Sequence, residues 1–432
     1  MTGATAASVS PSAPAQGMPP RVLILYGPTS YRGGAFLDAA ARLGLDVVQG
    51  IDLPDPLAGR WGVPVSLDFA DEPAALARIA ALHAERPFAA VLAVDDGATL
   101  LAARAAARLG LPHNDPASAL AARDKWVMRE RFAAAGVPVP WFRRFPLDAD
   151  PEAVARAVAY PCVVKPPRLS GSRGVIRAND QDDLRAAWER TRKLVEDEGA
   201  EPDAAFLLVE AYLPGVEVAV EGLLTGGDLR VLAIFDKPDP LEGPYFEETI
   251  YVTPSRLPAE TRDAIAAGTA AAAAAVGLRE GPVHAELRIN EDGVWPIELA
   301  GRSIGGLCSS VLEFGVGASL EELILRHAVG LPLPDTDLAG GAAGVMMIPI
   351  PKGGMLRGWS GAEAACAVPG VTGVEITAKV NHPVVPLPEG ASYLGFIFAR
   401  GESPAFVEDA IRQAHANLAF RIEPTIPLRA VG

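Results

Sequence analysis

The segment HAELRINEDGVWPIELAGRSIGG, from His284 to Gly306, places two carboxylates where they could share a cation. Two β-prone runs flank Glu291-Asp292-Gly293, a turn in which glycine supplies the residue with positive φ. With Asn290 and Val294 closing the hairpin, counting back along both runs sets Glu286 opposite Glu298. Cross-strand neighbours have Cβ atoms roughly 4.5–5.5 Å apart, and like charges there are destabilising. Alternation puts His284 and Arg288 on the face of Glu286, with Ala300 and Arg302 on that face of the second run. Two facing carboxylates in an apolar, β-rich setting need a compensating cation. Magnesium suits them, being a hard ion that takes oxygen ligands and keeps positions open for phosphate oxygens. The competing arrangement is a solvated hairpin face on which Arg288 bridges the two acids.

Two further segments carry polar groups at useful spacings. In AYPCVVKPPRLSGSRGV a buried-strand run ends at Lys165, and the loop Ser170-Gly171-Ser172-Arg173-Gly174 follows five residues later. Small residues let backbone N–H groups approach phosphate oxygens, the hydroxyls add donors, and Lys165 supplies a point charge. An ordinary surface turn shares the loop's composition. In LLVEAYLPGVEVAVEGLL, Glu210, Tyr212 and Leu213 follow a hydrophobic run, and Glu217 follows the Pro214-Gly215 turn. A nucleotide base needs an apolar slot with polar partners and its ribose needs an acceptor such as a carboxylate. Two plain strands with exposed glutamates are the alternative.

The elements that must position these residues are legible as a coarse pattern. From Arg21, runs such as RVLILYG, LDVVQGID and AAVLAVDDG alternate with helical stretches, which indicates a parallel sheet covered by helices, in the α/β class. The glycines of GPTSYRGG fit neither G-x-G-x-x-G nor a Walker A loop and read as a βα turn. A helix is predicted from Pro116 through ALAARDKWVMRERFAAAG, closed by Gly136. The Pro- and Gly-rich LPLPDTDLAGGAAG marks a boundary, followed by short β-prone runs and a helix at 404–418. Residues 1–20 read as a disordered tail without the features of a signal peptide. The Ala-rich stretch from Ile265 to Leu278 is too short to span a bilayer and reads as a packed helix. A formal net charge of −15 disfavours a general nucleic-acid binder. Cys162, Cys308 and Cys366 form no C-x-x-C pair and read as small buried hydrophobes in a reducing, cytoplasmic setting.

Taken in order, these motifs resemble the ATP-grasp superfamily, and within it the L-amino-acid ligase branch that makes dipeptides. The resemblance covers 115–331 well and the flanking regions more loosely. It implies an N-terminal Rossmann-like domain (21–114), a two-lobed ATP-grasp domain (115–331) and a small β-rich C-terminal domain (340–432). Asp124-Lys125 and Lys165 match the lysines that contact the nucleotide's phosphates, and SGSRGV, with Ser170, Gly171, Ser172 and Gly174, matches the loop that closes over ATP. Glu210, Tyr212 and Leu213 match the hinge lining adenine, Glu217 the ribose-binding glutamate, Glu286 and Glu298 the metal ligands, and Arg302 the arginine that holds the reacting carboxylate. Ala300 stands where many members carry a metal-binding Asn. PYFEETIYVTPSRLP, 244–258, also looks like this branch: either Glu247 or Glu248 reaches substrate, or the segment is an exposed hairpin. The resemblance implies ATP with Mg²⁺, or Mn²⁺ in its place, and an acyl phosphate formed from a small-molecule carboxylate. Attack by a small-molecule amine follows, with His284 a candidate base, and ADP and phosphate are released. Neither nucleic acid nor membrane is expected as a partner, and the assembly is left open between a single chain and a homodimer. Rival readings are a biotin-carboxylase-like or purine-biosynthetic enzyme activating bicarbonate or formate, and a non-catalytic nucleotide-binding regulator.

Overall fold

The computed structural model describes residues 18–54, 65–199 and 204–424. Most of the expected N-terminal tail, residues 1–17, lies outside the described residues. The chain forms two compact units, one made of Met1–Pro116 with Glu321–Leu333 and the other of Ala117–Leu320 with Pro334–Gly432.

The first unit is the predicted parallel α/β layer. Strands β1 (Arg21–Tyr26), β2 (Asp46–Asp52), β3 (Val65–Leu67) and β4 (Ala90–Ala93) lie in the order β3-β2-β1-β4, all parallel. The buried run VLILY of β1 reflects this, since a strand paired on both sides and covered by helices is apolar throughout. Helices 33–42, 72–85 and 96–109 intervene, the second capped by Asp71 and the third ended by Gly110 at φ +67°.

The second unit holds two main sheets. The smaller is antiparallel, in the order β5-β8-β6-β7, from β5 (Phe142–Pro146), β6 (Cys162–Lys165), β7 (Ile176–Ala178) and β8 (Phe206–Ala211). Helix 181–197 covers it, and Leu184, Trp188 and Val195 pack on Val164, Ile176 and Val209. The larger is eight-stranded. It begins with β9 (Val216–Thr225), β10 (Asp228–Asp236), β11 (Ile250–Thr253), β12 (Gly281–Asn290) and β13 (Gly293–Ala300). Two short strands follow, β14 (Glu313–Phe314) and β15 (Ala318–Ser319). Then come β16 (Ala342–Ile348), β17 (Gly354–Ser360), β18 (Val371–Glu375), β19 (Pro383–Val384), β20 (Gly395–Gly401) and β21 (Ala419–Glu423). The order β13-β12-β9-β10-β11-β16-β20-β18 shows that three of these C-terminal strands extend the large sheet, while β19-β17-β21 form a small one.

Three local expectations change. The helix predicted from Pro116 is two helices, 116–123 and 125–134, because Asp124 leaves the helical conformation and accepts the N–H groups of Trp126 (3.0 Å) and Val127 (3.2 Å). Cys366 is exposed, whereas Cys162 and Cys308 are buried as expected. Segment 244–258 is not an exposed hairpin: its one strand, β11, is buried between β10 and β16. The Ala-rich helix runs Ala259–Val276 and stops at Gly277, φ +85°. No helix among the described residues is long and apolar enough to cross a membrane.

Candidate active site

The glutamate hairpin forms with a different register near its turn. Asn290 pairs with Gly293, Ile289 with Val294 and Arg288 with Trp295, one residue tighter than predicted. Gly293 sits at φ +125°, where an L side chain is strained. A bulge at Ile297 then restores the count, so that Glu286 does pair with Glu298 and His284 with Ala300. The bulge leaves the Ile297 carbonyl outside the ladder, where it accepts from Arg129 at 2.8 Å. Strand β13 ends at Ala300, so alternation does not govern Arg302. That side chain lies beyond the strand and donates to the Ser303 carbonyl at 2.9 Å.

Capping by Asp124 puts Lys125 at the first turn of its helix, one turn before Arg129 on the same face. The Lys125 ammonium reaches the Leu169 carbonyl at 2.8 Å and the Glu298 carboxylate at 3.3 Å. Arg129 meets Glu210 with two parallel bonds, 2.9 and 3.2 Å, and Lys165 pairs with the same carboxylate. Burial opposes the Glu210 charge, but the Arg129 and Lys165 cations outweigh it and hold the carboxyl down to about 2. Burial also pulls the Lys165 ammonium below its ordinary value, with Glu210 resisting.

Opposite this group, three carboxylates converge on one ammonium. Glu217, Glu248 and Glu286 each place an oxygen within 4.8 Å of the others. The Lys237 ammonium pairs with Glu217 at 2.8 Å, with Glu248, and with Glu286 at 3.6 Å. Arg288 holds the other Glu217 oxygen at 2.8 Å. It therefore bridges to Glu217, not between Glu286 and Glu298. Burial and the neighbouring Glu286 push Glu248 up to about 7 against the pull of Lys237. The His284 ring nitrogens face Glu221 at 2.5 Å and Glu286 at 3.5 Å. Burial opposes its charge, yet the Glu221 and Glu286 carboxylates raise its pKa to about 9.

Both groups contribute to one cleft, lined by the expected residues Lys125, Lys165, Ser172, Glu210, Tyr212, Leu213, Glu217, Glu286 and Glu298. Ser170, Gly171, Gly174 and Arg302 are not among the lining residues. Phe246, Glu248, Arg288 and Ile297 line it without having been expected there, except that Glu248 was one of two alternatives. Glu247 is turned away and its carboxylate faces the backbone of Ile350. Lys237 was missed as well, although a lysine ending the strand VLAIFDK repeats the pattern that had flagged Lys165 in VVK. Tyr212 and Phe246 stack with centroids 6.3 Å apart, and Arg288 lies over both rings. The oxygen-only donor set of Glu217, Glu248 and Glu286 fits a hard divalent ion; it includes Glu286 from the expected hairpin pair, while Glu298 lies outside it and pairs with Lys125.

Comparison with known proteins places this geometry in a family. The ATP-grasp domain model matches residues 158–311, the ATP-grasp N-terminal domain 37–113 and the L-amino acid ligase C-terminal domain 2 residues 346–423. The D-alanine–D-alanine ligase of Aromatoleum aromaticum is 34% identical over 179 residues, covering 41% of this chain and 54% of that protein. The alanine–anticapsin ligase of Bacillus subtilis is 27% identical, covering 52% and 50%. The chain thus aligns with about half the length of each of these two ligases. Among solved structures, the L-amino acid ligase of Bacillus licheniformis superimposes with a TM-score of 0.79 at 28% identity, covering 94% of this chain and 100% of that one. The chain belongs to the ATP-grasp superfamily of ligases and, within it, resembles the L-amino-acid ligase branch.

Proposed function

We propose that the protein is a cytoplasmic ATP-dependent carboxylate–amine ligase. It forms an amide or peptide bond from amino-acid-like substrates through an acyl phosphate, releasing ADP and phosphate. The observation that carries this reading is a single cleft in which Lys125, Lys165 and Ser172 share the lining with Glu217, Glu248, Glu286 and Glu298. A carboxylate approaching the γ-phosphate brings two anions together, so the site must neutralise both. Magnesium, or manganese in its place, would be held by Glu286 and Glu298 with Glu248 as a further oxygen donor, and supplies Lewis-acid charge to the phosphate oxygens. Lys125 and Lys165 add fixed positive charge. Tyr212, Leu213 and Phe246 give the base an apolar slot, and Glu217, fixed by Lys237 and Arg288, is an acceptor for the ribose. Arg302 would grip the reacting carboxylate through its planar fork and later the oxyanion formed on amine attack. The loop bearing Ser170, Gly171, Ser172 and Gly174 would keep water from the acyl phosphate.

The test is a screen of paired amino acids and small carboxylic acids for phosphate release, with the coupled product identified by mass spectrometry. An ATP-dependent amide product is expected. Phosphate release that depends on bicarbonate or formate, with no amide formed, would sink the reading in favour of a carboxylase or purine-type reaction.

A further inference from the structure

We propose that Glu389, in the C-terminal part of the chain, is a positioning residue that clasps the 170–174 loop and its lobe over the nucleotide cleft. The inference rests on the nucleotide reading of that cleft. Its free volume is about 60 Å³, below the roughly 300–1,000 Å³ of small-molecule sites, so admitting a nucleotide requires one of its covers to move. One cover is the loop, whose Gly171, Ser172 and Gly174 all have positive φ. Within its own lobe the loop is tied to helix 181–197, through Thr191 Oγ1 on the Gly174 carbonyl at 2.9 Å and Arg173 on Glu198 at 2.8 Å.

The remaining ties leave the lobe and converge on two residues. The Gly174 N–H donates to the Pro388 carbonyl at 2.9 Å, and Arg173 Nε donates to the Glu389 carbonyl at 3.0 Å. The Glu389 carboxylate receives both prongs of Arg190, at 2.8 and 2.9 Å. Arg190, on helix 181–197, also donates to the Tyr245 hydroxyl. Tyr245 belongs to the second cover, the segment between β10 and β11 that contributes Phe246 and Glu248 to the cleft. That segment bridges to Ile176, and its Pro244 carbonyl accepts from the Arg177 N–H at 2.9 Å. The Arg190 guanidinium therefore fastens the second cover and its own helix to the Glu389 carboxylate, while the loop is tied to Pro388 and Glu389 through their backbone carbonyls. Arg190 and Glu389 are about 40% exposed (41% and 39%), so the pair is screened by water and salt and is weak enough to open in each cycle.

The experiment measures dissociation of a fluorescent ADP analogue from the full-length protein by stopped flow, with thermal unfolding alongside. Glu389→Arg is expected to speed dissociation about three- to fivefold at low salt, the range open to a screened pair. The unfolding temperature should hold, and the difference should shrink in high salt. Exchanging the charges, Glu389→Arg with Arg190→Glu, should return the rate to that of the wild type. A merely structural segment would not produce that rescue. Binding with unchanged dissociation in Glu389→Arg overturns the clasp alone, as does a faster rate that the exchange leaves uncorrected. Failure of the wild type to bind ADP at all overturns the nucleotide reading and the clasp with it.

Discussion

Glu286 and Glu298 are cross-strand partners, yet each already has its own cation. Lys237 and His284 attend Glu286, and Lys125 attends Glu298. Removing one charge therefore does not relieve an unscreened repulsion, and no rise in thermal stability is expected from Glu286→Gln or Glu298→Gln. On the proposed function, what each loses is a charged oxygen that would hold the metal. Turnover at saturating ATP should fall by at least roughly a hundredfold, the scale of losing one preorganised electrostatic group, while circular dichroism stays unchanged. Near-normal activity at limiting magnesium would make the glutamate structural. Arg302 makes a different demand, because it lies past the end of β13 and its neighbours do not dictate its direction. If it grips the carboxylate, Arg302→Lys should lose about a hundredfold to a thousandfold in ligation, since a lysine cannot present two parallel donors. ATP binding by calorimetry should stay nearly constant, because the nucleotide is held by other side chains. Wild-type ligation would remove Arg302 from the chemistry, and equal loss of both would assign it to the nucleotide.

At the level of elements, the legible and illegible parts separate by mechanism. Periodicity and turn chemistry announced the hairpin, the lysine-terminated β6 and the glycine-ended helices, because each depends on residues within one turn or one strand. Bulges and splits were not legible. The bulge at Ile297 is matched by Arg129, far away in sequence, donating to the freed carbonyl, and the break at Asp124 by a cap that competes with helix continuation. Phe246 and Glu248 reach the cleft, and Lys237 reaches its glutamates, only because the segment between β10 and β11 crosses it, a long-range fact with no local signature. The joint between helix 125–134 and β8 is of the same kind. Arg129, Lys165 and Glu210 are all buried and ion-paired, and they join the helix to the small sheet beside the packing of Trp126 on Phe142 and Phe206. The folded Glu210 carboxyl is depressed to about 2 from an ordinary value of 4.5. Its contribution is therefore present in full above about 4.5 and is lost as pH falls through about 2, a swing of roughly 2–4 kcal/mol. Glu210→Gln should destabilise the protein at pH 7 by about 3–5 kcal/mol, since it leaves two buried cations uncompensated. It should also flatten the acid limb of the stability curve. Thermal unfolding of both proteins between pH 7 and pH 3 checks this, and parallel acid limbs would show that Glu210 is not the titrating joint.

For the whole molecule, the question is how a chain of net charge −15 handles a polyanion. The overall field opposes nucleotide approach, so affinity must come from charges fixed locally in the cleft. Lys125, Lys165 and Lys237 are buried beside it, each already partnered by a glutamate, so the site stays near electroneutral until substrate and metal arrive together. That arrangement also bears on which bond of ATP breaks. Attack at the γ-phosphorus puts developing charge on the β,γ-bridging oxygen and the terminal oxygens, and it needs cations at that end of the nucleotide. Attack at the α-phosphorus needs them next to the ribose. Here the acceptor proposed for the ribose, Glu217, lies beside Glu248 and Glu286, and the cations next to it, Lys237 and Arg288, are both paired to it. Lys125 and Lys165 stand instead at the start of the helix and the end of the strand next to the 170–174 loop, with Glu298 in reach of Lys125. With Lys125 and Lys165 as the proposed phosphate-binding cations beside the 170–174 loop, the products should be ADP and phosphate. Chromatography of nucleotides after a measured number of turnovers decides the point, because ADP should match the amide formed one for one. Stoichiometric AMP with pyrophosphate would overturn the acyl-phosphate route and require an adenylated carboxylate in its place.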